Sequence, residues 1–285
     1  MKINIYIMRK LKYILMLSFT ISTAQIQTPQ PSPFAKIEQI VGLTQVSLEY
    51  SRPSMRGRII MGDLVPFGEL WRTGANKNST IQFSDDVKLG GKSAPKGKYA
   101  IYIRPGEAMW EVFFYNKSDN WGLPKNWDLK SIITVIEVPV KELQNPIESF
   151  TISLDDINNN GASISIKWEK TQVKIPLEVP TDQKTMASIE STLKTNPKAG
   201  DYYSAALYYK DSGKDLKVAK RWIEKSLLME EGKYYMYRQQ SLILAGLNEK
   251  DEAIKAANTS LKLAKKAGNN DYVRLNTKSI EEWSK

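Results

Sequence analysis

Apolar and polar residues alternate with a period of two through much of residues 36–179. In the segment VSLEYS, Val46, Leu48 and Tyr50 alternate with polar residues, and the segments YAIYI, WEVFFY, SFTISL and ASISIKW repeat the pattern. Such alternation is typical of strands with one buried face. Turn residues separate the segments, and the pair Asn160-Gly161 predicts a tight hairpin. We therefore predict an antiparallel β-sandwich-like domain of roughly seven to nine short strands, with a barrel as the alternative.

The period changes near residue 180. Four residues of the segment DYYSAALYY share one helical face: Tyr202, Ala205, Ala206 and Tyr209. This spacing predicts an α-helical domain over residues 180–285. Pro180 marks the border, and we expect Thr181 or Asp182 to cap the first helix.

The helical part contains an internal repeat. Two segments place small residues at the same spacing, 34 residues apart: Ala219 and Ser226, then Ala253 and Ser260. This period resembles the tetratricopeptide repeat, although the first helices lack that family's Trp and Leu-Gly residues. The alternative is a plain antiparallel helix bundle. Either form is a stack of helical hairpins, which typically binds a protein partner or supports a neighbouring domain.

The N-terminus has the three-part pattern of a secretory signal peptide. A basic stretch precedes the apolar run YILMLSFTI, and Ser22 and Ala24 have the spacing of a cleavage site. We predict a signal peptide over residues 1–24, cleavage after Ala24, and a proline-rich linker over residues 25–35. The apolar run is too short to span a bilayer about 30 Å thick. We expect an exported bacterial protein, periplasmic or extracellular, with no stable membrane insertion after cleavage.

Charge and composition exclude several function classes. The formal charge is +10, but four of the basic residues lie in residues 1–24 and the rest are dispersed, so we expect no nucleic-acid partner. The chain has no His and no Cys. This excludes a Ser-His-Asp triad, a cysteine nucleophile and an ordinary zinc site. We expect no cofactor and no metal; Asp155 and Asp156 could suggest calcium, but the adjoining hairpin explains them.

Four arginines cluster in one loop of an otherwise lysine-rich chain: Arg52, Arg56, Arg58 and Arg72. The loop joins two predicted strands and is about 25 residues long, a length at which loops are usually functional or disordered. Its central segment IIMGDLVPFGELW is too apolar for disorder. We therefore predict a folded, packed excursion, with Trp71 anchoring its end in the core.

The loop also carries a family resemblance. The shared pieces are Ser51-Arg52-Pro53, Gly57-Arg58, Leu64-Val65-Pro66, Trp71-Arg72-Thr73-Gly74-Ala75-Asn76 and Gly97-Lys98-Tyr99. In these, and in the later segments WGLPKNWD and FTISLDDI, residues 32–179 resemble the bacterial family catalogued as domain of unknown function 2911. The resemblance implies an exported β-rich domain, sometimes followed by helical repeats. It implies no activity.

The arginine loop has two interpretations. In the first, Arg52, Arg56, Arg58 and Arg72 join Asn76 and Lys77 in an anion-binding site, because guanidinium groups form paired hydrogen bonds with carboxylate or phosphate. In the second, the arginines brace the loop through the acidic residues Glu49, Asp63, Glu69 and Asp85; we expect this role for at least two of the four. Three tryptophans are candidate aromatic contacts for a ligand: Trp71, Trp121 and Trp127.

These observations favour binding over catalysis. The leading hypothesis is a non-catalytic binding or assembly role in the cell envelope, with a small anionic or sugar ligand and a protein partner on the helices. The alternative is a carboxylate- or arginine-based hydrolase or transferase acting on an exported anionic or carbohydrate substrate. An arginine loop with every guanidinium paired internally would favour the non-catalytic role, whereas an open pocket with a free Glu69 or Asp63 would favour catalysis.

Overall fold

The computed structural model describes Ile26 and residues 28–285. The predicted signal peptide, residues 1–24, and its cleavage site lie outside the described residues, as does part of the predicted linker. The described chain forms antiparallel sheets between Phe34 and Glu178 and then six helices between Thr181 and Trp283. The predicted fold class, a β part followed by an α-helical part, is confirmed.

The β part consists of two sheets. The six-stranded sheet has the order β1-β2-β3-β6-β7-β8 and contains β1 (Phe34–Val41), β2 (Thr44–Ser51), β3 (Thr80–Phe83), β6 (Gly97–Pro105), β7 (Met109–Tyr115) and β8 (Ile132–Pro139). The four-stranded sheet has the order β5-β4-β10-β9 and contains β4 (Val87–Leu89), β5 (Lys92–Ala94), β9 (Lys141–Asn158) and β10 (Gly161–Glu178). Every strand pair is antiparallel. The structure describes ten strands, slightly more than the seven to nine predicted. The strands β4 and β5 have three residues each, which is too short for a period-two pattern to be recognised in the sequence.

The two sheets share one hydrophobic core. Alternate residues of the six-stranded sheet, such as Leu48, Ile101 and Val112, are buried in the same cluster as Ile164 and Ile175 of β10. The period-two pattern produces this arrangement because successive strand side chains point to opposite faces. The core of the β part therefore lies between the sheets.

A smaller cluster covers the other face of the six-stranded sheet. Tyr102 and Tyr115 are fully buried there, and Trp127 packs over them from the loop between β7 and β8. Trp127 stacks on Tyr115 with ring centroids 4.8 Å apart. Both faces of this sheet are consequently packed near β6 and β7.

The predicted hairpin between β9 and β10 is present but is displaced by one residue. Asn158 pairs with Gly161, so the two connecting residues are Asn159 and Asn160. Glycine is required at position 161 by a close approach of the backbone and not by a positive φ angle. A Cβ atom at this position would lie 2.2 Å from the carbonyl oxygen of Leu177.

The six helices are connected by short turns. Their bounds are α1 (Thr181–Lys194), α2 (Ala199–Asp211), α3 (Leu216–Met229), α4 (Tyr234–Gly246), α5 (Lys250–Lys266) and α6 (Asn270–Trp283). The predicted cap of α1 is wrong: Pro180 occupies the N-cap position without a side-chain hydrogen bond. The Thr181 hydroxyl instead accepts a hydrogen bond from the backbone N–H of Leu43, 3.3 Å away. Among the helices of the described chain, none combines the length and apolar character that crossing a bilayer requires.

The 34-residue period has a structural counterpart. The Ser226 hydroxyl on α3 donates to the carbonyl of Ala199, at the start of α2, over 2.8 Å. The Ser260 hydroxyl on α5 donates to the carbonyl of Tyr234, at the start of α4, over 2.6 Å. Each contact joins the later part of one helix to the beginning of the helix before it, so each pair is an antiparallel hairpin. The resemblance to the tetratricopeptide family remains a prediction.

Candidate functional site

The arginine loop, residues 52–79 between β2 and β3, is folded and packed. Ile60 and Val65 are buried, and the backbone N–H of Val65 donates to the carbonyl of Ile60. The Glu169 carboxylate on β10 accepts from the backbone N–H groups of Ile60 and Met61, at 3.3 and 3.2 Å. The loop is therefore a folded, packed excursion, as its apolar composition predicts. Hydrogen bonds to its backbone groups connect it to the sandwich.

Trp71 anchors the end of the loop. Its backbone N–H and carbonyl exchange hydrogen bonds with Ile103 of β6, at 2.7 and 3.0 Å. The indole stacks on Trp168 with ring centroids 6.0 Å apart and meets Phe150 edge-on at 5.2 Å. Aromatic contacts of this kind add stability beyond the area they bury. The position of Arg72 is therefore fixed at its backbone.

Backbone strain is concentrated in this loop. Arg56, Thr73 and Asn76 have φ angles of 52°, 59° and 61°. A positive φ is uncommon for residues other than glycine and is a genuine outlier for a β-branched residue such as Thr73. Thr73 is also fully buried, and its hydroxyl has no hydrogen-bond partner among the described residues. Strain of this kind persists where the surrounding structure enforces it, commonly at functional sites.

A pocket of about 420 Å³ opens between this loop, β10 and the segment before β1. Its cationic and amide side chains are those of Arg56, Arg58, Arg72 and Asn76. Its apolar wall includes Leu64, Val65, Trp71 and Trp168. The structure therefore brings together four of the six residues predicted for the anion site, together with one of the three predicted tryptophans.

Two of the pocket arginines donate hydrogen bonds to backbone carbonyl oxygens. Arg58 donates through Nε to the carbonyl of Met55 and through Nη2 to that of Ser54, at 2.9 and 2.7 Å. Arg56 donates through Nη2 to the carbonyl of Pro31, at 3.0 Å. Because a guanidinium group has five N–H donors, each arginine keeps donors beyond these bonds.

Arg72 differs from the other three arginines. Its Nε atom is buried and has no hydrogen-bond partner among the described residues. A buried donor without an acceptor costs on the order of 1–3 kcal/mol. Arg72 also lines the pocket, and its guanidinium group makes no hydrogen bond with the described residues, so its outer nitrogens can donate to an acceptor that enters the pocket.

Arg52 and Lys77 lie outside the pocket lining. Arg52 turns towards β9, where Nε donates to the carbonyl of Phe150 at 3.2 Å and Nη2 to the Thr151 hydroxyl at 2.9 Å. Lys77 is exposed and forms an isolated backbone bridge with Trp121. These contacts make Arg52 a brace between the loop and β9.

The acidic partners expected for bracing are elsewhere. Glu49 pairs with Lys98, and Asp85 pairs with Lys184, each at 2.7 Å. Asp63 and Glu69 are exposed, and the arginine–carboxylate pairs of the described chain involve Arg104 and Arg274. Carboxylate bracing of the guanidinium groups, expected for at least two of the four arginines, is therefore wrong, because none of the four pairs with an Asp or Glu side chain among the described residues. The arginines that brace it do so through carbonyl and hydroxyl oxygens.

The other two predicted tryptophans are not in the pocket. Trp127 is part of the small cluster on the outer face of the six-stranded sheet. Trp121 is 74% exposed, and the loop that carries it is joined to the arginine loop by a hydrogen bond from the backbone N–H of Gly122 to the carbonyl of Asn76, at 3.2 Å. Trp121 thus lies beside the loop of the site without lining its pocket.

Sequence reasoning missed Trp168 and the segment before β1. Trp168 lies in an alternating strand, and this pattern predicts burial but not which loop the indole will face. Pro31 and Ser32 lie in a stretch predicted to be a linker, yet both line the pocket. Ser32 lies more than 20 residues before the nearest pocket arginine, so no local sequence pattern links the two.

The remaining carboxylate candidates are neutralised. Asp155 pairs with Lys167 and Asp156 with Lys174, both at 2.7 Å. Hydrogen bonds from Lys174 and Ser163 hold the pKa of Asp156 below its ordinary value. In the described part of the chain, no group of three or more acidic side chains is arranged to hold a metal ion.

A protein-family model matches residues 32–177, and the family is described as Protein of unknown function (DUF2911). The match covers more than half of the 285 residues. The chain belongs to this family. The DUF2911 match includes every residue predicted for the site, and it also includes Trp168. No curated protein and no solved structure matches the chain.

Proposed function

We propose that this chain is an exported binding protein whose DUF2911 domain holds a small organic anion in the arginine pocket. The observation that carries the proposal is Arg72: its side chain lines the pocket, and its guanidinium group makes no hydrogen bond with the described residues. A carboxylate or phosphate would supply acceptors in the geometry that a guanidinium group recognises. Arg56 and Arg58 add two positive charges to the same pocket.

The pocket walls indicate what else the ligand carries. A volume of about 420 Å³ lies within the range of roughly 300–1,000 Å³ that is typical of small-molecule sites. Trp71, Trp168 and Leu64 contribute apolar surface to the same lining. We therefore expect an anion with an apolar or ring-containing body, such as an acidic sugar or an organic polycarboxylate.

Binding is favoured over catalysis by the chemistry of the lining. The residues that line the pocket include no Asp, Glu, Lys or Tyr side chain that could transfer a proton. Asp63 and Glu69, the carboxylates on which a hydrolase or transferase would depend, do not line it. The charged groups of the pocket are suited to holding an anion in place.

The test is calorimetric titration of the mature chain with phosphate, citrate and glucuronate. We expect Arg72→Lys to weaken binding of the tightest of these anions by about tenfold, because lysine keeps the charge but loses the paired fork. The melting temperature of the ligand-free variant should change little. Arg52→Lys is the matched control: it should lower the melting temperature, because two hydrogen bonds are lost, and leave the affinity nearly unchanged. Failure of all three anions to bind the wild type would contradict the proposal.

Export rests on the N-terminal sequence. The order of basic, apolar and small residues supports removal of residues 1–24 and a location in the periplasm or outside the cell. N-terminal sequencing of protein recovered from the periplasm or medium should give a chain that begins at Gln25. A protein retained in the cytoplasm with Met1 at its start would contradict export.

The helical hairpins support a second role in assembly. They stack in sequence order after the β part, and Leu228 at the end of α3 is 87% exposed. Stacked hairpins present extended surfaces that suit a protein partner. The proposed molecule therefore combines a ligand-binding domain with an assembly domain in the cell envelope.

A further inference from the structure

The segment immediately before β1, residues 31–33, lies against the arginine pocket; we call it the strap. Three consecutive strap carbonyls accept hydrogen bonds from the arginine loop. Arg56 Nη2 donates to Pro31 at 3.0 Å, Asn76 Nδ2 to Ser32 at 3.3 Å, and the backbone N–H of Arg52 to Pro33 at 2.9 Å. Pro31 and Ser32 also line the pocket.

The composition of the strap suits this role. Two of its three residues, Pro31 and Pro33, are prolines, and proline fixes φ and removes the backbone donor. The strap consequently loses little conformational entropy when it docks, and its carbonyls remain available as acceptors. Its contacts with the loop use backbone oxygens.

The strap orients Arg56 in particular. Arg56 is an exposed residue with a positive φ, and the bond to the Pro31 carbonyl is the one hydrogen bond that its guanidinium makes with the described residues. Without the strap this guanidinium would have no hydrogen bond with the described residues that holds it at the pocket wall. With the strap docked, its remaining donors are held at the pocket wall.

We infer that the strap is a positioning element of the anion site, so that strap docking and anion binding stabilise each other. The inference rests on the proposed anion-binding function. It follows from reciprocity: if docking of residues 31–33 places Arg56 for the anion, the anion must favour docking by the same factor. Residues 31–33 would then act as part of the binding site as well as a connection to the N-terminus.

The experiment compares the full mature chain, beginning at Gln25, with a double variant Pro31→Gly and Pro33→Gly. Both substitutions keep the carbonyls but loosen the docked backbone. We expect the dissociation constant for citrate to rise up to about tenfold, with little change in the ligand-free melting temperature. The matched control is Pro29→Gly, because no side chain of the loop bonds to that residue's carbonyl among the described contacts; its affinity should stay near that of the wild type.

A second measurement uses the wild type alone and does not depend on how the variants fold. The Arg52 amide donates to the Pro33 carbonyl, so its hydrogen exchange reports strap docking. Citrate should slow this exchange severalfold. Citrate binding with unchanged exchange and equal affinity in the double variant would overturn the inference while leaving the anion site intact. Absence of citrate, phosphate and glucuronate binding to the wild type would overturn the proposed function together with it.

Discussion

Arg52 and Arg72 are the same residue type in one loop, yet their surroundings separate their roles. Arg52 directs its guanidinium to oxygens of β9, whereas the buried Nε of Arg72 has no acceptor among the described residues. The difference follows from position: Arg52 directly follows β2, and Arg72 directly follows the anchored Trp71. An arginine whose backbone is fixed and whose guanidinium has no hydrogen-bond partner among the described residues is suited to binding an external anion.

The glycines of the loop give a prediction at the same scale. Gly74 has a φ of 121°, and a Cβ atom there would lie 2.9 Å from the carbonyl oxygen of Ser51. Gly57 has a φ of 73° with no atom within 4 Å of its Cβ position. We expect Gly57→Ala to cost about 1 kcal/mol of unfolding free energy, from backbone strain alone. Gly74→Ala should cost about 2–4 kcal/mol, because strain and a steric clash combine.

Urea denaturation of the two variants and the wild type measures these costs. The Gly57 variant serves as the control, since it lies in the same loop and differs in the steric clash. Equal destabilisation by both substitutions would show that the close approach of residue 74 to β2 is not maintained in solution.

The sequence predicted part of the candidate site at the residue scale. Clustered arginines and an apolar loop identified Arg56, Arg58 and Arg72 because local composition carries that information. The contribution of Trp168 could not be predicted, since it depends on how β10 packs against a loop far away in sequence. The error over Glu49 and Asp85 has the same origin: each lies near the arginines along the chain but pairs with a lysine from another element.

At the scale of elements, a serine marks each helical hairpin. Ser226 donates to one buried carbonyl, whereas Ser260 also accepts from Asn276 Nδ2 at 2.8 Å. The Oδ1 atom of Asn276 is buried and already lacks a partner among the described residues. The second hairpin thus contains a connected polar network that the first does not.

This difference predicts unequal costs for the same substitution. Ser226→Ala should lower the unfolding free energy by about 1 kcal/mol, and Ser260→Ala by about 2 kcal/mol, because the first removes one hydrogen bond and the second removes two. Thr259→Ala is the control: its hydroxyl bonds to a carbonyl of its own exposed helix turn, and it should be nearly neutral. Chemical denaturation followed by circular dichroism gives the values. Equal costs at Ser226 and Ser260 would contradict a role for Asn276 in the network.

Most of the strands and helices could be predicted from the sequence. Period-two alternation predicted the sandwich because burial of one strand face imposes that period. The 34-residue spacing identified Ser226 and Ser260, whose matching hydrogen bonds each join the two helices of a hairpin. The start of α1 was misread because Thr181, a good capping residue, uses its hydroxyl for the Leu43 backbone instead.

At the scale of the whole molecule, the β and α parts meet at a polar junction. Gly42, in the turn between β1 and β2, has a φ of 56°, and a Cβ there would lie 1.9 Å from the Thr181 hydroxyl. Lys184 of α1 pairs with Asp85 at 2.7 Å, and the Thr44 hydroxyl donates to the same carboxylate at 2.9 Å. Hydrogen bonds and one ion pair therefore connect α1 to the sandwich.

The charge of Asp85 makes this junction sensitive to pH. Burial raises the pKa of its carboxyl, but hydrogen bonds from Lys184, Ser84 and Thr44 outweigh burial, so its pKa lies below the ordinary value. A lowered folded-state pKa stabilises the folded protein above the ordinary Asp pKa of about 3.9. That contribution is lost as the pH falls through the folded-state pKa. The pH window therefore lies below about pH 4.

The corresponding prediction concerns Asp85→Asn. At pH 7 the variant should lose about 1 kcal/mol of unfolding free energy, a modest value because the Lys184 side chain is 41% exposed and solvent screens the pair. The difference from the wild type should stay constant down to about pH 5 and then shrink below about pH 4, because the wild-type carboxyl becomes neutral as well. Urea denaturation at pH 7, 5 and 3 measures it, with the exposed Asp119→Asn as the control that should match the wild type throughout. A loss that is the same at pH 3 and pH 7 would mean that the asparagine side chain disturbs packing, and that the ion pair does not fasten α1 to the sandwich.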